Sequence, residues 1–220
     1  MKRHFEQEVE SLKTNLIKMA SLAEEAVGLS INALLKQNTD LAERIIRDDE
    51  RINSLEIEID NAIIDLLALQ QPVAVDLRLI LAAQKINNDL ERIGDHAVNI
   101  AESVVALVKT RPEEPLLELP KMAEIAKEML RNAIDGFIHN DSSLSEKVLL
   151  QDDEIDELNR KMMRDVIQIM KNDPDIIEGG SELIRVSRNL ERVADLATNI
   201  AEEVIFIARA RLVKHRADVK

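Results

Sequence analysis

LERIGDHAVNIAE occupies residues 90–102, and LERVADLATNIAE occupies residues 190–202. Nine of these 13 positions are identical, at an offset of 100 residues. Upstream the offset becomes 103: Met19 matches Met122, Asp40 matches Ser143, Asp49 matches Asp152, Ile52 matches Ile155 and Leu55 matches Leu158. The connector before the last helix of each half is therefore three residues shorter in the second copy. A period this long with two copies points to a tandem domain, not a solenoid.

Around the repeated stretch the period is helical. Ile86, Leu90, Ile93, Ala97, Ile100, Val104 and Leu107 alternate at spacings of four and three, as do Val186, Leu190, Val193, Ala197, Ile200, Val204 and Ile207. Such a seam suits antiparallel bundle packing at shallow angles, and the small Ala97 and Ala197 let a neighbour approach closely. Strand-like alternation is not sustained anywhere, and the long segments are rich in Leu, Ile, Ala, Glu, Lys and Arg, all good helix formers. The five Gly and five Pro stand as punctuation, with Pro112, Pro115 and Pro120 in one stretch and Asp173-Pro174 and Gly179-Gly180 marking another loop. The pattern predicts six helices: 4–36, 40–69, 76–109, 121–139, 143–171 and 181–214. Ser143 with Glu146, and Asp40 with Glu43, have capping-box spacing, and Pro120 suits the first turn of the fourth helix. The expected fold class is all-α: two tandem pseudo-symmetric three-helix bundles, residues 1–111 and 112–220, joined at 111–120.

Composition excludes several classes. The 220 residues contain no Cys, which removes disulfides, thiolate metal sites and thiol nucleophiles. Phe5, Phe137 and Phe206 are the only aromatics, and Lys plus Arg (29) against Asp plus Glu (42) leaves a net charge of −13. Both features argue against a nucleic-acid partner, which needs stacking rings or cationic contacts to phosphate. No signal-peptide h-region follows the charged N-terminus, and no window approaches the roughly 18 apolar residues of a membrane span. A soluble cytoplasmic protein is expected.

At 3.6 residues per turn, Glu91 lies about 130° and Asp95 about 170° from the seam centre, pointing away from the core. Like charges at i and i+4 cost a helix about 0.2–0.5 kcal/mol. Acid pairs such as Glu6/Glu10, Glu56/Asp60 and Asp153/Glu157 arise readily in so acidic a chain and mark a solvated face. Glu91/Asp95 recurs as Glu191/Asp195, with Asn99/Asn199 and Glu102/Glu202 along the same helices. In the second helix Asp49 and Asn53 flank the Ile52/Leu55 seam, and Asp152 and Asp156 stand at the equivalent places. If the second and third helices of a repeat pack side by side, these strips face one groove. Converging oxygen donors suit a hard cation such as Mg²⁺, Ca²⁺, Mn²⁺ or iron, and the lack of Cys and of repeated His makes zinc a poorer fit.

LERIGD…NIAE, present twice and preceded by Asp76-Leu77-Arg78, resembles the PhoU family of phosphate-uptake regulators over essentially the whole chain. The resemblance implies two symmetric three-helix bundles in a cytoplasmic homodimer. It implies partners in a phosphate ABC transporter, through its ATPase, and a sensor histidine kinase, with peripheral membrane association through them. It implies repression of phosphate uptake and of the phosphate-starvation response when phosphate is plentiful. It also implies divalent or trivalent metal ions, whether iron, Mg, Mn, Ca or Zn, at paired acidic motifs. Carried over by position, Asp49, Glu91 and Asp95 form the first site, and Asp152, Asp156, Glu191 and Asp195 the second. Asn53 stands where the second repeat has Asp156, so the first site has one carboxylate fewer and is expected to bind metal more weakly. His96, matched by Leu196, reads as an exposed histidine without a ligand role.

Two other readings stand beside the signalling adaptor. A metal-dependent bundle enzyme with a di-metal carboxylate site needs inward Glu-x-x-His motifs, but the residues three before the four His are Met1, Ile93, Gly136 and Leu212. Without these, and with its acids on outer faces, the chain reads as a non-enzyme. A purely structural helical protein leaves the recurring acids unexplained. A direct phosphate sensor fits poorly, since no Gly-rich cradle is present and the net charge repels phosphate. Arg92 and Arg192 read as partners for nearby acids or, less readily, as anion ligands. The basic stretch 209–220 reads as a helix end favoured by the dipole or as a contact to anionic lipid.

Overall fold

The computed structural model describes residues 2–70, 72, 74–110 and 118–209. Among these the chain forms helices α1 (Lys2–Lys36), α2 (Thr39–Asp48), α3 (Glu50–Gln70), α4 (Ala74–Thr110), α5 (Leu119–His139), α6 (Ser142–Asn172) and α7 (Ile177–Arg209), with a 3₁₀ turn at Pro174–Ile176. In the first half α4 packs on α1, α2 and α3; in the second, α7 packs on α5 and α6. The most extensive contact crosses between the halves, α4 against α7, with α1 against α5 beside it. One continuous apolar core runs through both. The expected boundary at 111/112 lies outside the described residues.

The seam residues are buried on both central helices, apart from the partly buried Ile207. The turn between the first two helices of each half is built twice in the same way. Gln37 and Asn140 adopt left-handed φ of 50° and 51°. The next residue caps the following helix: Asn38 accepts from the Leu41 amide at 3.0 Å, and Asp141 from the Ser143 amide at 2.8 Å. The caps thus sit upstream of the expected Asp40 and Ser143, because a left-handed residue ends one helix and leaves an Asx side chain free to start the next. Pro120 does lie in the first turn of α5.

Two expectations about continuity are corrected. The second helix is interrupted at Asp49, whose φ −59°, ψ −30° keep the chain's direction while its carbonyl accepts from both Ile52 (2.8 Å) and Asn53 (3.2 Å). The last helix starts at Ile177, so Gly179 and Gly180 are helical and not a loop. Packing explains them: a Cβ on Gly180 would stand 2.8 Å from Met170 Cγ and 3.2 Å from Val166 Cγ1. The glycine lets α7 lie directly on α6. Residues 71–73 stand between α3 and α4, whereas Asp173 and the 3₁₀ turn stand between α6 and α7.

These contacts predict opposite signs for two glycine substitutions. Gly180→Val is expected to lower stability by about 1–3 kcal/mol through overpacking. Gly28→Ala, in mid-helix with nothing within 4 Å of the new Cβ, is expected to raise it by about 0.5–1 kcal/mol. Urea unfolding of the two variants checks both; equal effects would contradict the packing argument.

Candidate functional site

Each central helix carries three strips. The apolar seam faces its own bundle. A second strip, at the same four–three spacing but polar, joins the halves: Lys85, Asp89, His96 and Asn99 on α4 meet Arg185, Asn189, Asn199 and Glu203 on α7. Lys85 Nζ lies 2.6 Å from Glu203 Oε1, and His96 Nδ1 lies 2.8 Å from Asn189 Oδ1. Arg185 Nη2 donates to Asn99 Oδ1 at 3.2 Å and also pairs with Glu102. The pairings run in opposite senses along the two helices, so α4 and α7 are antiparallel. His96 is accordingly half-buried in this seam, not exposed, and burial pushes its imidazole pKa down despite the Asn189 bond. Asn99 and Glu102 serve the seam, not the acidic groove. So does Asn199, which bonds Asp89.

The third strip is acidic and faces the preceding helix across a groove. In the second half, Asp152 and Asp156 of α6 meet Glu191 and Asp195 of α7. One oxygen each from Asp152, Asp156 and Asp195 lies within 4.8 Å of the others. That spacing is compatible with oxygen ligands around one hard cation. Burial raises the Glu191 pKa, with the Asp195 charge adding to it; burial also raises Asp195, against the pull of Arg192 and with help from Asp152 and Asp156. Arg192 lies against this cluster, 2.7 Å from Asp195 Oδ2 and 3.5 Å from Glu191 Oε2. Arg92 instead stands 3.7 Å from Asp89 Oδ1. Both arginines therefore take the acid-partner role.

The first half assembles Asp49, Glu91 and Asp95 as expected, but more loosely, and no such trio of ligand oxygens forms there among the described residues. Burial raises Asp49 and Glu91, and the charge of Asp95 acts on both. Asn53 donates to Asp49 Oδ2 at 3.0 Å, which occupies that oxygen and favours its charged form, while its own Oδ1 is buried without a partner. Gly94 makes this contact between helices: a Cβ there would stand 2.9 Å from Ile52 Cδ1 and 3.2 Å from Asp49 Oδ1. A fourth acid was missed in the sequence. Glu56 couples to Asp95 and Glu91, so the carboxylate count of the first groove is not lower after all. Its place one turn beyond Asn53 was the available signal. The second-half counterpart, Asn159, accepts from Ser187 Oγ at 2.7 Å.

A duplicated all-helical protein with an acidic groove in each half is thus the class that fold and site define. The family model described as PhoU domain matches residues 16–104 and 119–204, one match per repeat. The chain is 41% identical over 209 residues to the phosphate-specific transport system accessory protein PhoU homolog of Aquifex aeolicus, covering 95% of each. It is 34% identical to the homolog of the same name from Clostridium acetobutylicum, over 95% of this chain and 96% of that one. Among solved structures, PhoU from Pseudomonas aeruginosa superposes with a TM-score of 0.92 at 33% identity, covering 94% of this chain and 100% of that one. The regulatory protein PhoU from Streptococcus pneumoniae gives 0.87 at 28%, covering 96% and 99%. The chain belongs to the PhoU family.

The polar seam makes a prediction of its own. Burial raises Asp89 from 3.8 to about 6, against the pull of Arg92, Asn199 and Lys85 and with a push from Glu203. The folded protein then binds more protons than the unfolded chain between these values. The stability Asp89 contributes is full below its unfolded pKa and is lost as pH rises through about 6. Asp89→Asn should therefore gain on wild type by about 2–3 kcal/mol between about pH 4 and about pH 7, read by urea unfolding at both; a gap that stays constant would contradict it.

Proposed function

We propose that this chain is a negative regulator of phosphate uptake and of the phosphate-starvation response. It acts in the cytoplasm as an adaptor between a phosphate ABC transporter, through its ATPase, and a sensor histidine kinase. The observation that carries this reading is the match of both repeats, over nearly the whole chain, to relatives named as accessory proteins of the phosphate-specific transport system. Those names describe an accessory role rather than catalysis. No helix among the described residues is long and apolar enough to cross a membrane, which fits attachment to the membrane through partners. A homodimer is part of the same reading, and sedimentation of the purified protein tests it.

Metal binding at the grooves is the second part of the proposal. The second groove supplies the better donor set, a trio of carboxylate oxygens already gathered. The first, with one Asp49 oxygen occupied by Asn53, binds more weakly. A bound cation would offset the burial and the neighbouring carboxylate charge that raise Glu191 and Asp195 and would displace Arg192 toward solvent.

Asp195→Asn is expected to lower the metal content of protein loaded with Mn²⁺ or iron more than Asp95→Asn does, measured by elemental analysis after gel filtration; equal content in both variants and wild type removes the sites. For the regulatory role, deleting the gene should derepress phosphate-uptake genes in phosphate-rich medium, read with a reporter and restored by the wild-type chain. Unaltered repression counts against it.

A further inference from the structure

The duplication supplies a control for the surface. Equivalent positions in the two halves occupy equivalent places in the fold, so packing alone does not require different surface chemistry there. Along α3 and at the start of α4, Ile57, Leu69, Val75 and Leu81 are 61%, 71%, 62% and 46% exposed. Their counterparts are Arg160, Asn172, Asp175 and Ser181, all exposed, whereas Ile64, Leu67 and Leu77 keep apolar counterparts in Ile167, Met170 and Ile177. A similarly exposed position filled by polar residues in one repeat and apolar residues in the other shows that the apolar choice is not needed for folding.

Ile57 and Ile64 share a face of α3, and Leu77 and Leu81 share a face of α4; together they form one stripe. Asp60 Oδ1 accepts from both Gln84 Nε2 and Asn87 Nδ2 at 2.8 Å, which fixes the register of α3 against α4. One turn toward the connector from that contact, Ile64 and Leu67 stand beside Leu77 and Leu81. In the second half Gly180 lets α7 settle on Met170. The first half has the fully buried Ile80 at that place, and Leu67 is 36% exposed. Contiguous apolar surface of this kind on a soluble domain marks an interaction site.

The border of the stripe states what it fits. On α3 Glu58, Asp60 and Asp65 flank the stripe, the exposed Glu58 and Asp65 adjoining Ile57 and Ile64, while on α4 Asp76 stands beside Arg78 and Lys85 is paired with Glu203. An anionic lipid surface is repelled by such a border, while a cationic one on a protein is attracted. We propose that the α3–α4 stripe of the first half docks an amphipathic helix of a partner protein whose apolar face is bordered by Lys or Arg. This deepens the adaptor reading, on which it rests for the existence of a protein partner. Helix-on-face recognition needs only apolar anchors at i, i+3, i+4 and i+7 with a complementary rim.

The test is fluorescence anisotropy of a labelled helical peptide of about 18 Leu and Lys residues, with Leu at those spacings, and of its Leu/Glu counterpart. Full-length protein is used in the presence of chelator. The Lys peptide should bind and the Glu peptide should not. Ile64→Asp/Leu81→Asp should weaken Lys-peptide binding at least about tenfold, although it adds two negative charges, whereas Ile167→Asp in the second half should leave binding unchanged. Circular dichroism confirms that both variants fold, and partly exposed serines in place of the two aspartates give a second, milder pair. Unchanged or tighter binding by the aspartate variant overturns the proposal, as does equal loss in Ile167→Asp. So does sedimentation showing that wild type self-associates through the stripe while the variant is monomeric, since a second copy would then be the occupant. The peptide assay needs no phosphate signalling, so its failure is distinct from loss of the regulatory reading.

Discussion

The antiparallel contact of α4 with α7 governs the rest of the molecule. A helix wedged between its own bundle and its twin has two of its faces committed. The apolar seam is taken by α1–α3 or by α5 and α6, and the polar strip of Lys85, Asp89, His96 and Asn99 is taken by the opposite helix. At 3.6 residues per turn only one sector remains. Glu91 and Asp95 occupy it in one half, and Glu191 and Asp195 in the other. Their position at the lip of a groove, half covered by the preceding helix, follows from how the other two faces are used.

That placement has an electrostatic consequence. Carboxylates that are partly desolvated and within reach of one another resist ionisation, as the raised Asp49, Glu91, Glu191 and Asp195 show. The fold answers differently in each half. Arg192 leans across the second cluster, whereas the Asn53 amide quenches one oxygen of the first. Arg192 is exposed and held by its hydrogen-bonded ion pair with Asp195 and the nearby Glu191, so a cation can replace it at little structural cost. The Asn53 amide is held one turn from Asp49 on nearly continuous helix and does not yield so readily. The two repeats thus present grooves whose carboxylates are held differently, and their outer faces diverge too, with Ile57 and Leu69 on α3 where α6 has Arg160 and Asn172.

The sequence made legible whatever repeated with an apolar or acidic signature. The seams at Ile86–Leu107 and Val186–Ile207 and the paired acids could be read because duplication separated them from chance. The inter-half strip has the same spacing, but its members are polar, and polar residues at helical spacing look like a solvated face until a second helix is known to cover them. His96 was misjudged for that reason. Gly179-Gly180 was read as a loop because a glycine that breaks a helix and a glycine that admits a neighbour are the same letter; only the 2.8 Å approach to Met170 separates them. Glu56 escaped because it pairs as plausibly with Asp60 along the helix, while Asp60 in fact turns to Gln84 and Asn87.

Anomalous diffraction from crystals grown with Mn²⁺ bears most directly on the claim that these grooves are cation sites of unequal strength. The account requires a peak within bonding distance of Asp152, Asp156 and Asp195, stronger than any between Asp49 and Asp95. A map with no peak at that trio, or with the dominant peak in the first groove, would contradict it.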